Sequence, residues 1–180
     1  MKATPNKTAL FAGLLVLTLS SATSATTVIA LSMEALVANA DCAFEGLVEE
    51  TSSAWENGLI VTTATVSVSD CYLGACEETM EIRQPGGEIN GIMMEVAGSH
   101  ALNPGDEIVL FGRQINNQGA LSPLGAAQGI FEIDGPFLHR DLTEVILLSE
   151  EGPIESISGV PATLEELRLM VRQGFNESGR

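Results

Sequence analysis

The sequence predicts a mainly β protein: a small antiparallel β-barrel or sandwich with a short N-terminal helix and a C-terminal helix. Three observations carry this. Segments alternating with period two recur along the middle of the chain, as in Leu59–Ser69, where Ile60, Thr62, Ala64, Val66 and Val68 share one face. Gly and Pro turns punctuate them at Glu56-Asn57-Gly58, Gln84-Pro85-Gly86-Gly87, Asn103-Pro104-Gly105-Asp106, Asn116-Asn117-Gln118-Gly119 and Asp134-Gly135-Pro136. Helical patterning is confined to the two ends of the mature region, which argues against alternating βα units.

The elements follow in order. Lys2 and Lys7, the apolar run Ala9 to Leu19 and the small residues Ser20 to Ala25 have the pattern of a secretory signal peptide, residues 1–25. The run is too short to cross a bilayer core of roughly 30 Å as a helix. Cleavage is expected after Ala25, with Ala30 as a second site. The mature chain is then exported, to the periplasm or the cell exterior, and no second run is long enough to span a membrane. Ser32 can cap a helix over Met33–Asn39, with Met33, Leu36 and Val37 on one face. Strands are predicted at Cys42–Glu49, Leu59–Ser69, Thr79–Arg83, Ile89–Val96, Glu107–Phe111, Gly129–Ile133 and Val145–Leu148. Gly46, Gly91 and Gly98 are candidate bends or bulges. These strands make one β domain over residues 26–148.

Residues 149–162, rich in Glu, Gly, Pro and Ser, read as an exposed linker. Thr163-Leu164-Glu165-Glu166 then forms a capping box, and Leu164, Leu167, Met170, Val171 and Phe175 fall on one side of a helix over residues 163–175. Docking on its own domain is the expected use of that stripe, against service as a partner surface.

Charge excludes two classes of partner. The formal net charge is −16, and removing Lys2 and Lys7 with the leader makes the mature chain more negative still. Nucleic acid phosphates and anionic lipid headgroups are repelled by such a surface. The acids are dispersed, and their main expected role is solvation. Adjacent pairs such as Glu49-Glu50, Glu77-Glu78, Asp106-Glu107 and Glu150-Glu151 point to opposite faces when in strands, so they do not converge on one substrate.

Cysteine usage is sparse. Cys71 and Cys76 flank a short loop containing Gly74, and an exported protein can bridge them. Cys42 sits in an apolar strand pattern and is expected to be a buried thiol. A zinc site would have to recruit His100 or His139 at no recognisable spacing, so no metal or cofactor is expected. No Gly-x-Ser-x-Gly elbow, phosphate loop or helical metalloprotease pattern occurs, and no catalytic residue is nominated. His139, Arg140 and Asp141 form the one local polar group of interest. Trp55 and Tyr72 are the only large aromatics with a polar handle, too few for a sugar-stacking platform.

The order of Leu31 to Leu36, Ala40 to Gly46, Gln84-Pro85-Gly86-Gly87, Asn103 to Phe111, Ala127-Gln128-Gly129 and Thr163 to Leu167 resembles a group of uncharacterised exported bacterial β-domain proteins. More distantly, the short helix, the Ala40-Asp41 strand start, the long hairpin and the Pro104-Gly105-Asp106-Glu107 turn resemble the OB-like barrel of tissue-inhibitor-of-metalloproteinase and netrin-like domains. That resemblance implies the fold. Its inhibitors use an N-terminal cysteine to bind a protease zinc, and neither Thr26 nor Leu31 copies that start. The expected function is therefore non-enzymatic: binding of an unknown partner, with another exported protein as the candidate, or a structural role in the envelope. The alternatives are a secreted inhibitor-like module acting on a protease, or a carboxylate-using hydrolase. A pocket uniting a histidine with two acids would favour the hydrolase, and an exposed apolar patch a binding module.

Overall fold

A computed structural model describes residues 26–115 and 119–178, with side chains described as far as residue 173. The leader, most of the Asn116–Gly119 turn and the Phe175 side chain lie outside the described residues. The elements in chain order are β1 (Thr26–Ile29), α1 (Met33–Asn39), β2 (Cys42–Glu56), β3 (Leu59–Leu73), β4 (Thr79–Pro85), β5 (Gly87–Ile89), β6 (Ile92–Met94), β7 (Glu107–Gln114), β8 (Leu121–Pro123), a 3-10 turn (Ala126–Gly129), β9 (Ile130–Asp134), β10 (Phe137–His139), β11 (Val145–Ser149), β12 (Gly152–Ile154) and α2 (Leu164–Ser178). The fold is mainly β and its pairings are mostly antiparallel. None of the described helices is long and apolar enough to cross a membrane.

The largest sheet has the order β10-β9-β7-β2-β3-β4-β8, and β8 also pairs with β7. β2 and β3 form its long central hairpin. Asn57 and Gly58 close it with φ of 49° and 84°, the left-handed pair that a two-residue turn matched to strand twist requires. The hairpin runs past the expected ends at Glu49 and Ser69, because Thr51, Ser52 and Ser53 pair with Ala64, Thr63 and Thr62 while Asp70, Cys71 and Leu73 pair with Glu45, Phe44 and Ala43. A register shift lies between Glu45 and Gly46. A Cβ at Gly46 would stand 2.5 Å from the Ser67 carbonyl oxygen, so the bulge needs glycine.

Both faces of the sheet are covered, which explains the unbroken apolar run Ile108 to Phe111. Ile108 and Leu110 join Phe44, Val48, Val66, Ile82 and Leu121 in one core layer. Val109 and Phe111 point the other way, with Ala43, into a second layer closed by Met33, Leu36 and Val37 of α1 and by Leu167 and Val171 of α2. Phe111 and Phe131 meet edge to face there, ring centres 6.0 Å apart. Ser32 caps α1 by accepting from the Ala35 amide. At α2 the Thr163 hydroxyl accepts from the Glu166 amide at 3.2 Å, while Glu166 accepts from the amide of Ala162 at 2.9 Å, one residue before the cap.

Two expectations need correction, and one element is additional. Ile89–Val96 is not one strand but the hairpin β5–β6, because Asn90 and Gly91 both take positive φ and reverse the chain. The segment 149–162 is not wholly linker, since β12 folds back on β11. Thr26–Ile29 is a strand as well, lying parallel to β11 with Thr26 opposite Val145.

Candidate functional site

The inner face of the β2–β3 hairpin, the corner after β4, the β5–β6 hairpin and the segment leading to β11 enclose a cleft of about 860 Å³. Hydroxyls build its first wall. Ser53 Oγ and Thr62 Oγ1 lie 2.9 Å apart as a cross-strand pair, and Thr62 donates to the Gly86 carbonyl at 2.7 Å. Gly87 lets the corner come this close, since a Cβ there would stand 2.2 Å from Thr62 Oγ1.

The floor holds polar groups that the fold leaves incomplete. Gln84, on the core side of β4, is 8% exposed. Its Nε2 donates to the His100 carbonyl at 2.5 Å, but its Oε1 is buried without a donor among the described residues. The His100 side chain is 10% exposed, with Nε2 3.2 Å from Glu132 Oε1. That is ion-pair distance for a protonated imidazole, yet Nε2 makes no aligned hydrogen bond among the described residues. Asp141 sits on the same rim, where its Oδ1 accepts from the Thr143 amide at 3.0 Å and the Thr143 hydroxyl at 2.7 Å. Those bonds, the backbone one first, hold its carboxyl below the usual range. Glu88, Glu95 and Glu144 also line the cleft, and no Lys or Arg does so among the described residues.

The local group His139, Arg140 and Asp141 is dispersed by the structure. His139 is exposed on β10, Asp141 reaches the cleft, and Arg140 turns inward with its guanidinium 4.8 Å from the centre of the Phe131 ring. All three guanidinium nitrogens are buried without a hydrogen-bond acceptor among the described residues, and burial brings the group down to about 10. Tyr72 is engaged elsewhere, its hydroxyl donating to Glu45 Oε2 at 2.5 Å. Trp55 stands half-exposed near the hairpin tip, where Leu59 is also exposed, and Ile92 and Met93 are exposed on the β5–β6 hairpin.

Cys71 and Cys76 are bridged, and Cys42 is a buried free thiol. The Cys42 sulfur lies 3.3 Å from that of Cys76, and burial pushes the Cys42 thiol up, with the Asp41 carboxylate adding to the effect. Cys42, His100 and His139 are not gathered together, and no trio of His, Cys, Asp or Glu suited to a metal occurs among the described residues.

Sequence reasoning missed the cleft. Its polar floor comes from Gln84, His100 and Glu132 on separate segments, and the available signal was a glutamine in an otherwise core-facing register of β4. Comparison of the chain with protein-family models and with curated proteins finds no match.

Proposed function

We propose that this chain is an exported, non-enzymatic binding domain whose cleft receives a cationic N–H donor, an ammonium or guanidinium group, free or carried on another exported protein. The buried Gln84 Oε1, which has no donor among the described residues, carries this reading. An unmet buried acceptor costs about 1–3 kcal/mol, which a ligand donor would recover. Glu88, Glu95, Glu132, Asp141 and Glu144 favour a positively charged donor over a neutral one. The leader pattern of Lys2 to Ala25 supports export.

The scaffold is read as an OB-type barrel. Support comes from the pairing circuit β2, β3, β4, β8, β7 and back to β2, in which β4 and β8 are parallel through Ile82 and Leu121 and the other rungs are antiparallel.

Titration calorimetry with spermidine and with arginine amide tests the assignment. Saturable binding is expected, weakening with salt and falling at least tenfold in Glu132→Gln. Absence of binding by either cation, or equal binding by an uncharged polyol, would sink it.

One observation favours a second reading. His100, Glu132 and Asp141 line one cleft, the combination that suits a hydrolase in which His100 draws a proton from water while Glu132 orients the ring. Hydrolysis of glycoside or ester substrates that is abolished in His100→Ala would establish this reading in place of the first.

A further inference from the structure

The three cysteines occupy graded positions: Cys42 buried, Cys76 half-buried and Cys71 exposed. The loop that carries Cys76 is pressed onto the start of β2. A Cβ at Gly74, which has φ of +76°, would stand 2.2 Å from the Asp41 carbonyl oxygen. This close approach seats Cys76 on Cys42, sulfur to sulfur at 3.3 Å, inside the roughly 3–3.5 Å range of reacting atoms poised for attack.

The geometry points to a thiol–disulfide exchange site in which Cys42 displaces Cys71 from Cys76 and so delivers a reactive thiol to the surface. Cys42 loses its proton to water and its sulfur attacks Cys76 Sγ. The Cys42–Cys76 bond forms, the Cys71–Cys76 bond breaks, and the electron pair leaves on Cys71 Sγ, which takes a proton from water. One thiol and one disulfide stand on each side, so no oxidant is consumed. The exposed Cys71 thiolate can then attack a low-molecular-weight disulfide, forming a mixed disulfide at Cys71 and releasing one thiol. The chain thereby gains a modification site that its resting bridge conceals.

The test alkylates the native protein with iodoacetamide, quenches in acid and maps peptides without reduction. Label is expected on Cys71, together with a Cys42–Cys76 linked peptide. Label confined to Cys42, or no label, overturns the proposal. In Cys42→Ser, Cys71 labelling should fall at least tenfold, and labelling at the wild-type rate would mean that Cys71 is released without Cys42. Incubation with glutathione disulfide should add one glutathione at Cys71, whereas an adduct only on Cys42, or none, counts against the site. Cys71→Ser, incubated with glutathione disulfide as oxidant and then denatured without reductant, should show no free thiol because Cys42 and Cys76 become bridged as two molecules of glutathione are released. Two free thiols would contradict the exchange.

Discussion

Arg168 of α2 donates through Nη2 to Glu45 Oε2 of β2 at 2.8 Å. Tyr72 of β3 shares that carboxylate oxygen and accepts from Arg168 Nε at 3.1 Å, so three elements meet in one polar clasp. Burial first, then the bond to Glu45, push the Tyr72 phenol above its ordinary range. Tyr72 is the only tyrosine, so phenolate absorbance reads this group alone. A raised folded value means that the contribution to stability is fully present below the unfolded value of about 10 and is lost as pH rises through the folded one. Native protein at pH 10.5 should therefore show almost no phenolate, whereas urea-unfolded protein at that pH should show most of it. Equal absorbance in the two states would mean that the clasp does not hold.

The C-terminal helix should act as scaffold. Leu167 and Val171 are buried against Phe111, Phe131 and α1. Leu167→Ala is expected to lower stability by about 2–4 kcal/mol through lost burial and the cavity left behind. Thr163→Ala should cost about 1 kcal/mol through loss of its cap. Urea midpoints measure both, and unchanged midpoints would turn the helix into a surface free for a partner.

Arg140 should be a burden on the fold. Its guanidinium gains the face of Phe131 but finds no acceptor among the described residues, and desolvation disfavours its charge. Arg140→Met is expected to leave the denaturation midpoint unchanged or raise it, while Phe131→Ala should lower stability by about 3–5 kcal/mol. A clear loss in Arg140→Met would point to an anionic partner for the guanidinium.

Gln128 ties down the chain on both sides of Ala30. It is fully buried, its Oε1 accepting from the Leu31 amide at 2.8 Å and its Nε2 donating to the Ile29 carbonyl at 3.0 Å. Cleavage after Ala30 would remove Ile29 and all of β1. N-terminal sequencing of the exported product should therefore begin at Thr26. A start at Leu31, or an intact leader, would refute this.

Local signals in the sequence reached far into the fold. Alternation marked Ile60 to Val68, turn residues marked Asn57-Gly58, and the capping box located α2 within a residue of its observed start. Gly91 reads as a bend, but the apolar run of Ile89, Ile92, Met93 and Met94 reads as one strand and masks the full reversal at Asn90-Gly91. Pairing of Thr26 with Val145 was illegible because parallel strands from remote segments leave no local trace. The cleft was hidden for a related reason. Gln84, His100 and Glu132 have no shared spacing, and only the tertiary fold brings them to one floor. The Cys42 approach to Cys76 likewise depends on the loop at Gly74 lying against Asp41.

The parallel pairing of β1 also sets an order of assembly. β11 is the sole strand neighbour of β1 among the described residues, so Thr26–Ile29 has no strand to pair with until Val145–Leu148 has been made. A chain made from its N-terminus would carry Thr26–Ile29 with its amides bare, waiting for nearly the whole domain to follow. Completion of this small sheet thus reports that Val145–Leu148 is in place, and a product cut short before β11 would keep Thr26–Ile29 as an unpaired strand open to proteases.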